Sequence, residues 1–351
     1  MLISILILSF LIFFHELGHF VVARFFGVKV EVFSIGFGKK ILSWVHKDTT
    51  YCISAVPLGG YVQMKGQDDS DPSKKNFDHD SYMSKPPLQK IAILFAGPFA
   101  NFLLAFFLYI AVGVLGVPTL APVIGNISEN SSAQSAGLIE GDKILEIANI
   151  SINSWDEIKP MVLKTDGQIE LKIERDGKTH LISLTPKLSE NRNIFGETIH
   201  EKLIGISPIG EVTTLYLTGT KPFIYAYNET IKSATLILKS LQKMIEGVIS
   251  PKEMGGVISI VQITSSAAKS GIVTLFLLTA LISVNLGVIN LFPIPALDGG
   301  HIIFNLYELL FKRPPNEKVY INLTYAGWSI LISLMAFTIT NNILRISEAY
   351  Q

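Results

Sequence analysis

The chain has 351 residues, 49% of them hydrophobic, with 29 basic and 29 acidic side chains. Its mean hydropathy of +0.42 is too high for an ordinary soluble domain, and zero net charge leaves no electrostatic footprint for nucleic acid. Cys52 is the single cysteine, which excludes an intrachain disulfide and a cysteine-based metal site.

The first apolar block, Leu2–Phe26, is long enough to cross a bilayer, which takes roughly 20 residues. It has neither the basic start nor the small-residue cleavage site of a signal peptide, and is expected to be retained. Inside it lies His15-Glu16-Leu17-Gly18-His19. Ionisable groups in hydrocarbon cost several kcal/mol each, so this insert calls for a functional reason. Positions i and i+4 share a helix face, which sets both imidazoles side by side to grip one metal ion. Glu16 is then placed as a general base toward water at that metal. Two histidines merely bonded to carbonyls in a bundle are the plainer alternative.

Val28–Met64 alternates as strands do and is punctuated by Gly36, Gly38, Gly59 and Gly60, which predicts a β-hairpin or small sheet. Gln67–Lys85 is charged and reads as a surface loop, Asp78-His79-Asp80 included. The second apolar block is Ile91–Val117, with Gly97-Pro98 as a break at its entry and Asn101 as a structural group bonding to a neighbouring helix.

From Val123 to about Pro208 the composition is that of a soluble domain. Ser135-Ala136-Gly137-Leu138-Ile139-Glu140-Gly141-Asp142-Lys143-Ile144-Leu145-Glu146-Ile147 resembles a PDZ domain of the permuted bacterial kind. A helix over Ser154–Leu163, strands Ile169–Glu174 and His180–Leu184, and the turn Arg175-Asp176-Gly177-Lys178 fit it. About 85 residues hold one such domain, which binds peptide ends by strand addition or acts as a steric lid. Tyr225–Ile249 then reads as an amphipathic helix suited to the membrane interface.

The third block, Ile272–Leu291, runs into Phe292-Pro293-Ile294-Pro295-Ala296-Leu297-Asp298-Gly299-Gly300 and a further apolar run, His301–Phe311. Two prolines one residue apart force the backbone to unwind, which membrane depth tolerates only where the chain is buried in protein or lines a cavity. The fourth block is Tyr320–Ile339, and the loop before it carries Lys312, Arg313 and Lys318. That loop is cytoplasmic by the positive-inside rule, so both termini and the PDZ-like region lie outside. Asp298 then sits at about the depth of His15 and His19, as a catalytic zinc with three protein ligands requires. The alternative for Asp298 is a helix cap. His301 competes as a ligand and reads rather as a supporting or structural group.

His15-Glu16-Leu17-Gly18-His19 in a first spanning helix, with Asn290-Leu291-Phe292-Pro293-Ile294-Pro295-Ala296-Leu297-Asp298-Gly299-Gly300 in a third, resembles the site-2 protease family of intramembrane zinc metalloproteases. It is similar to the bacterial branch that cuts anti-sigma factors and signal-peptide remnants. The resemblance implies zinc held by His15, His19 and Asp298, with Glu16 catalytic and Asn290 and Asn285 on the substrate backbone. For both asparagines helix–helix hydrogen bonding is the alternative. It also implies that the 28–64 sheet dips into the membrane and pairs with unwound substrate, and it matches Asn101 to a Gly-Pro-x-x-Asn motif. Glu253-Met254-Gly255-Gly256-Val257-Ile258 resembles the family's Gly-Gly-Pro-Ile loop, with Val257 in place of proline and less rigidity expected. One PDZ domain instead of two departs from tandem-PDZ members and from their size-filter gating.

The expected architecture is a polytopic α-helical membrane protein with four transmembrane helices, at 1–27, 88–118, 271–311 and 320–345. A membrane-associated β-sheet with its loop fills 28–87 and an extracytoplasmic PDZ domain 119–210. An amphipathic helix with a connecting loop covers 211–270, and 312–319 is a cytoplasmic loop. The expected function is zinc-dependent cleavage of single-pass membrane proteins within or near the bilayer of a bacterial inner membrane. The active site faces the cytoplasmic side, the PDZ domain takes a peptide end or substrate segment, and nucleic acid is no partner. The rival functions are a metal transporter, a catalytically inactive PDZ scaffold and a membrane-anchored protease of soluble peptides. A PDZ domain has no place in transport, a dead descendant need not keep His15, Glu16, His19 and Asp298 together, and ligands deep in hydrocarbon disfavour soluble substrates.

Overall fold

A computed structural model of the chain describes residues 2–67, 76–253 and 255–349. Residues 68–75 of the expected charged loop and Met254 of the glycine loop lie outside the described residues. In chain order the elements are α1 (Leu2–Phe25), β1 (Val30–His46), β2 (Thr49–Met64) and α2 (Pro87–Leu115). Next come β3 (Val117–Leu120), β4 (Ile124–Ile127), α3 (Ser132–Ser135), β5 (Lys143–Ile147), β6 (Ile150–Ser151) and α4 (Ile158–Lys164). They are followed by β7 (Ile169–Arg175), β8 (Lys178–Leu184), β9 (Lys187–Arg192), β10 (Thr198–Leu203), β11 (Ile206–Pro208) and β12 (Val212–Leu215). The last five are α5 (Lys221–Ile245), α6 (Val257–Ser270), α7 (Ile272–Asn290), α8 (Asp298–Phe311) and α9 (Glu317–Ala349). Two compact units result, one of Met1–Ala111, Phe223–Met244 and Ser250–Gln351, the other of Val112–Pro222 and Ile245–Ile249.

In the first unit, α1, α2, α7 and α9 are the helices long and apolar enough to cross a membrane among the described residues. Hydrocarbon leaves backbone N–H and C=O groups no partner but the helix itself, which is why such sequences wind up. Their polarity is inverted relative to a soluble helix. On α1 the buried positions Leu11, His15, His19 and Ala23 recur every four residues, while Leu2, Leu6, Phe10 and Val21 point outward. On α2 the stripe Ile93–Gly97–Asn101–Ala105–Tyr109 is buried, and Phe95, Phe99, Leu103 and Phe107 are exposed. The helix runs through Pro98 without the break expected at Gly97-Pro98. Proline removes one backbone donor and the partner of the Leu94 carbonyl, a loss the rest of a 29-residue helix outlasts.

β1 and β2 are long enough to fold over. Tyr51 stands opposite both Phe33 and Trp44, and Phe33 opposite both Tyr51 and Val62, so four short segments lie abreast. Gly36 and Gly38 sit at φ of 91° and 84° in the bend of β1, a conformation that disfavours any side chain. Residues 60–64 pair with 30–35 on one side, which makes them an edge of this sheet.

Where the sequence reading expects a connecting loop, Val257–Ser270 is helical. This α6 bonds to α1 through Ser4 Oγ and the Val261 carbonyl (3.0 Å), and to α9 through Ser259 Oγ and Asn342 Oδ1 (2.8 Å). The 291–297 segment is unwound as expected. Gly299 and Gly300 let the first turn of α8 lie directly on it: a Cβ at either would come within 2.3 Å of the Leu291 or Ile294 carbonyl oxygen.

In the second unit, β6-β5-β7-β8 form a four-stranded antiparallel sheet, with β9–β10, β4–β11 and β3–β12 as antiparallel pairs. Ile144, Ile147, Ile169, Leu171 and Ile173 form the centre of its core, packed by Ile158 and Val162 of α4. The turn at Asp176-Gly177 falls where the sequence places it, with both residues at positive φ.

Candidate metal centre

Three of the expected ligands converge. His15 Nε2 lies 3.2 Å from His19 Nε2 and 3.2 Å from Asp298 Oδ2, and His19 Nε2 lies 3.5 Å from the same oxygen. The helical spacing of four brings the two rings together edge to face, 4.8 Å apart between centroids, and the first residue of α8 delivers the carboxylate across from them. They form the one group of three His, Cys, Asp or Glu side chains with metal-binding spacing among the described residues. A tetrahedral zinc with bonds of about 2.0–2.1 Å has ligand–ligand edges of about 3.3–3.4 Å. The observed triangle of 3.2, 3.2 and 3.5 Å is close to those edges.

The second helix shapes the pocket for the rings. Gly18 of α1 meets α2 so closely that a Cβ there would lie 2.2 Å from the Ala96 carbonyl oxygen. A Cβ on Gly97 would fall 2.3 Å from His19 Nε2 and 2.9 Å from His15 Cε1. Small residues permit this approach of two backbones, as at other membrane helix contacts. His19 Nδ1 donates to the Ile93 carbonyl at 2.8 Å, which leaves Nε2 with the lone pair. Asn101 Nδ2 stands 3.1 Å from His15 Nδ1.

A cavity of about 710 Å³ opens on these three side chains. Glu16 and Asn290 line it, and Asn290 Nδ2 comes within 3.5 Å of His15 Nε2. The edge segment Gly59–Met64 forms one wall, and Thr324, Trp328 and Leu331 of α9 contribute to another. His301 also lines the cavity, outside the group of three, with Nδ1 3.3 Å from the Tyr320 hydroxyl. Asn285 is not among the lining residues. Asp78 and Asp80 both pair with Lys65, and that amine holds both carboxyls below their ordinary range.

The sequence reading missed Ile93 and Gly97, and it missed the ion pair of Lys90 Nζ with Glu308 Oε2 (3.0 Å) that ties α2 to α8. The signal it offered was the spacing of four along Ile93, Gly97 and Asn101, which matches that of the two histidines.

Residues 3–334 match the Peptidase family M50. A Campylobacter jejuni protein named a candidate zinc metalloprotease is 50% identical over 343 residues, covering 98% of this chain and 93% of its own. A relative from Helicobacter pylori strain J99 with the same style of name is 40% identical, covering 98% and 99%. One from Clostridium acetobutylicum is 37% identical, covering 95% and 94%. The chain belongs to peptidase family M50. As an M50 peptidase it is a zinc metalloprotease and a multi-pass membrane protein, with four long apolar helices among the described residues.

Proposed function

We propose that this M50 peptidase hydrolyses a peptide bond within or near a transmembrane segment of single-pass membrane proteins. The observation that carries this reading is the His15–His19–Asp298 triangle, two corners of which stand on the apolar helix α1, with Glu16 beside it on the same cavity. In this reading His15, His19 and Asp298 hold zinc. When bound, zinc polarises the scissile carbonyl and makes water a better nucleophile at neutral pH. Glu16 takes a proton from the attacking water as the new C–O bond forms, and returns it to the amine as the C–N bond breaks. Asn290 holds the substrate backbone, which its place on the cavity wall supports. The same role for Asn285 rests on the sequence resemblance alone.

A substrate helix must open before its backbone can be attacked. The edge segment Gly60–Met64 is paired on one side by β1 and borders the cavity, so it suits addition of an extended substrate strand. We read the second unit as one extracytoplasmic PDZ domain, on the support of its four-stranded sheet, α4 and the Asp176-Gly177 turn. We read the α8–α9 loop as cytoplasmic, with the metal centre toward that side, on the support of Lys312, Arg313 and Lys318; the bacterial inner membrane rests on the family resemblance. The test is purified protein in detergent with a single-pass substrate, beside Glu16→Gln and a chelator, with products sized by mass spectrometry. Cleavage inside the spanning segment, lost in both controls, supports the reading. Zinc bound with several such substrates left intact overturns it.

A further inference from the structure

The two imidazoles are held from behind by different chemistry. An imidazole that offers its Nε2 lone pair to a cation must carry its proton on Nδ1, and that proton needs an acceptor. His19 has one, because the Ile93 carbonyl at 2.8 Å can only accept. His15 Nδ1 faces the Asn101 amide instead, with the amide nitrogen at 3.1 Å. An amide N–H and an imidazole N–H cannot bond to each other, so this orientation belongs to the other tautomer. In that tautomer Nδ1 accepts from Asn101, and Nε2–H donates to Asp298 Oδ2 at 3.2 Å. Meanwhile Asn101 Oδ1 is buried without a hydrogen-bond partner, on a residue with no exposed surface. An orphaned buried acceptor of this kind costs about 1–3 kcal/mol.

A half-turn of the amide brings that oxygen to His15 Nδ1. We propose that Asn101 is a positioning residue: with its amide turned this way and zinc bound, Oδ1 accepts the His15 Nδ1–H and fixes the tautomer in which His15 is a ligand. The backbone at Asn101 is anchored to α7, where its carbonyl accepts from Ser283 Oγ at 2.8 Å. This rests on the assignment of His15 as a ligand.

The test measures zinc affinity of the full-length protein in detergent by chelator competition, for wild type, Asn101→Leu, Asn101→Asp and His15→Ala. Asn101→Leu keeps the bulk and removes the acceptor, and zinc should bind roughly 10- to 100-fold more weakly, the usual cost of losing such a support. Asn101→Asp keeps an acceptor and should hold zinc at least as tightly as wild type. Folded Asn101→Leu within twofold of wild type overturns the proposal, as does Asn101→Asp failing as badly as Asn101→Leu. Nitrogen NMR of labelled histidine in zinc-loaded wild type reads the tautomer directly, should Asn101→Leu not fold. A protonated His15 Nδ1 is expected, and a bare one overturns the proposal. If His15→Ala binds zinc like wild type, the ligand assignment itself fails, whatever the Asn101 variants do.

Discussion

Gly97 lies against His19 so closely that one added methyl would come within 2.3 Å of the ring's Nε2. Alanine is ordinarily the better helix residue by about 1 kcal/mol, so a Gly97→Ala exchange should help α2 if nothing stood in the way. Here the imidazoles stand in the way. We expect Gly97→Ala to keep the helical content of wild type and to lose zinc affinity at least tenfold, read by chelator competition. Wild-type affinity in the variant would mean that the rings are not confined as described.

Glu16→Gln and Asp298→Ala should separate chemistry from metal binding. The first removes a base and no ligand, so zinc content by mass spectrometry should stay near one per chain while turnover falls by about 10²–10⁴-fold. The second removes a corner of the triangle, and the zinc should go with it. Zinc added back to chelator-treated wild type should restore turnover; zinc added to Asp298→Ala should not.

The Lys90–Glu308 pair holds the helix that carries Asp298 against the helix that shapes the ring pocket. Its side chains are mostly buried, so removing one partner strands a charge. Glu308→Ala should cost roughly 1–3 kcal/mol, between the values for exposed and buried pairs. A lowered melting temperature would register it, and Lys90→Met with Glu308→Leu should recover much of the loss. No change in melting on Glu308→Ala would remove the pair from the account.

In the second unit the Asp142 side chain has no exposed surface and accepts two bonds from Arg175, at 2.7 Å each, and one from the Ile139 N–H. Arg175→Met leaves that carboxylate uncompensated, and about 3–5 kcal/mol should be lost. Hydrogen exchange resolved by segment should speed up across β5, β7 and β8. Unchanged protection there would contradict the assignment.

Acid should loosen β10 from α4. The Lys159 amine at 2.7 Å, and then the Asn191 amide, hold the Glu201 carboxyl below its ordinary range. A carboxyl whose folded value is depressed stabilises the fold at higher pH and loses that contribution as pH falls through the folded value. The lysine is half exposed, so the effect is small. Exchange of β10 amides should rise below about pH 4.5 relative to the β7 core, and Glu201→Gln should flatten that dependence. A wild-type profile as flat as that of the variant would refute this.

The spanning helices were legible because lipid forces a long apolar run to wind, and the histidines because charge in such a run stands out. Asp298 was legible through depth, since counting lysines and arginines placed it level with His15 and His19. The spacing of four along Ile93, Gly97 and Asn101 was present, yet one apolar residue, one glycine and one amide do not announce a common task. The carbonyl of Ile93 acts through backbone, which no side chain reveals. Helix α6 was hidden by its length: 14 residues cannot span a bilayer, and Gly255-Gly256 in front of it signals a loop. Pro98 misled in the opposite sense, because a proline break is a local expectation and α2 is held by neighbours on both sides of it.

The four-residue match between His15–His19 on α1 and Ile93–Gly97–Asn101 on α2 makes the centre sensitive to counting as well as to composition. Each helical residue advances the face by about 100°, so deleting one residue between Ile93 and Asn101 would turn one partner away while leaving the other in place. Outward positions such as Phe95 and Phe99 can exchange freely among apolar residues at fixed length. This part of the chain is therefore a ruler: its outward positions tolerate spelling changes, while its length admits no insertion or deletion.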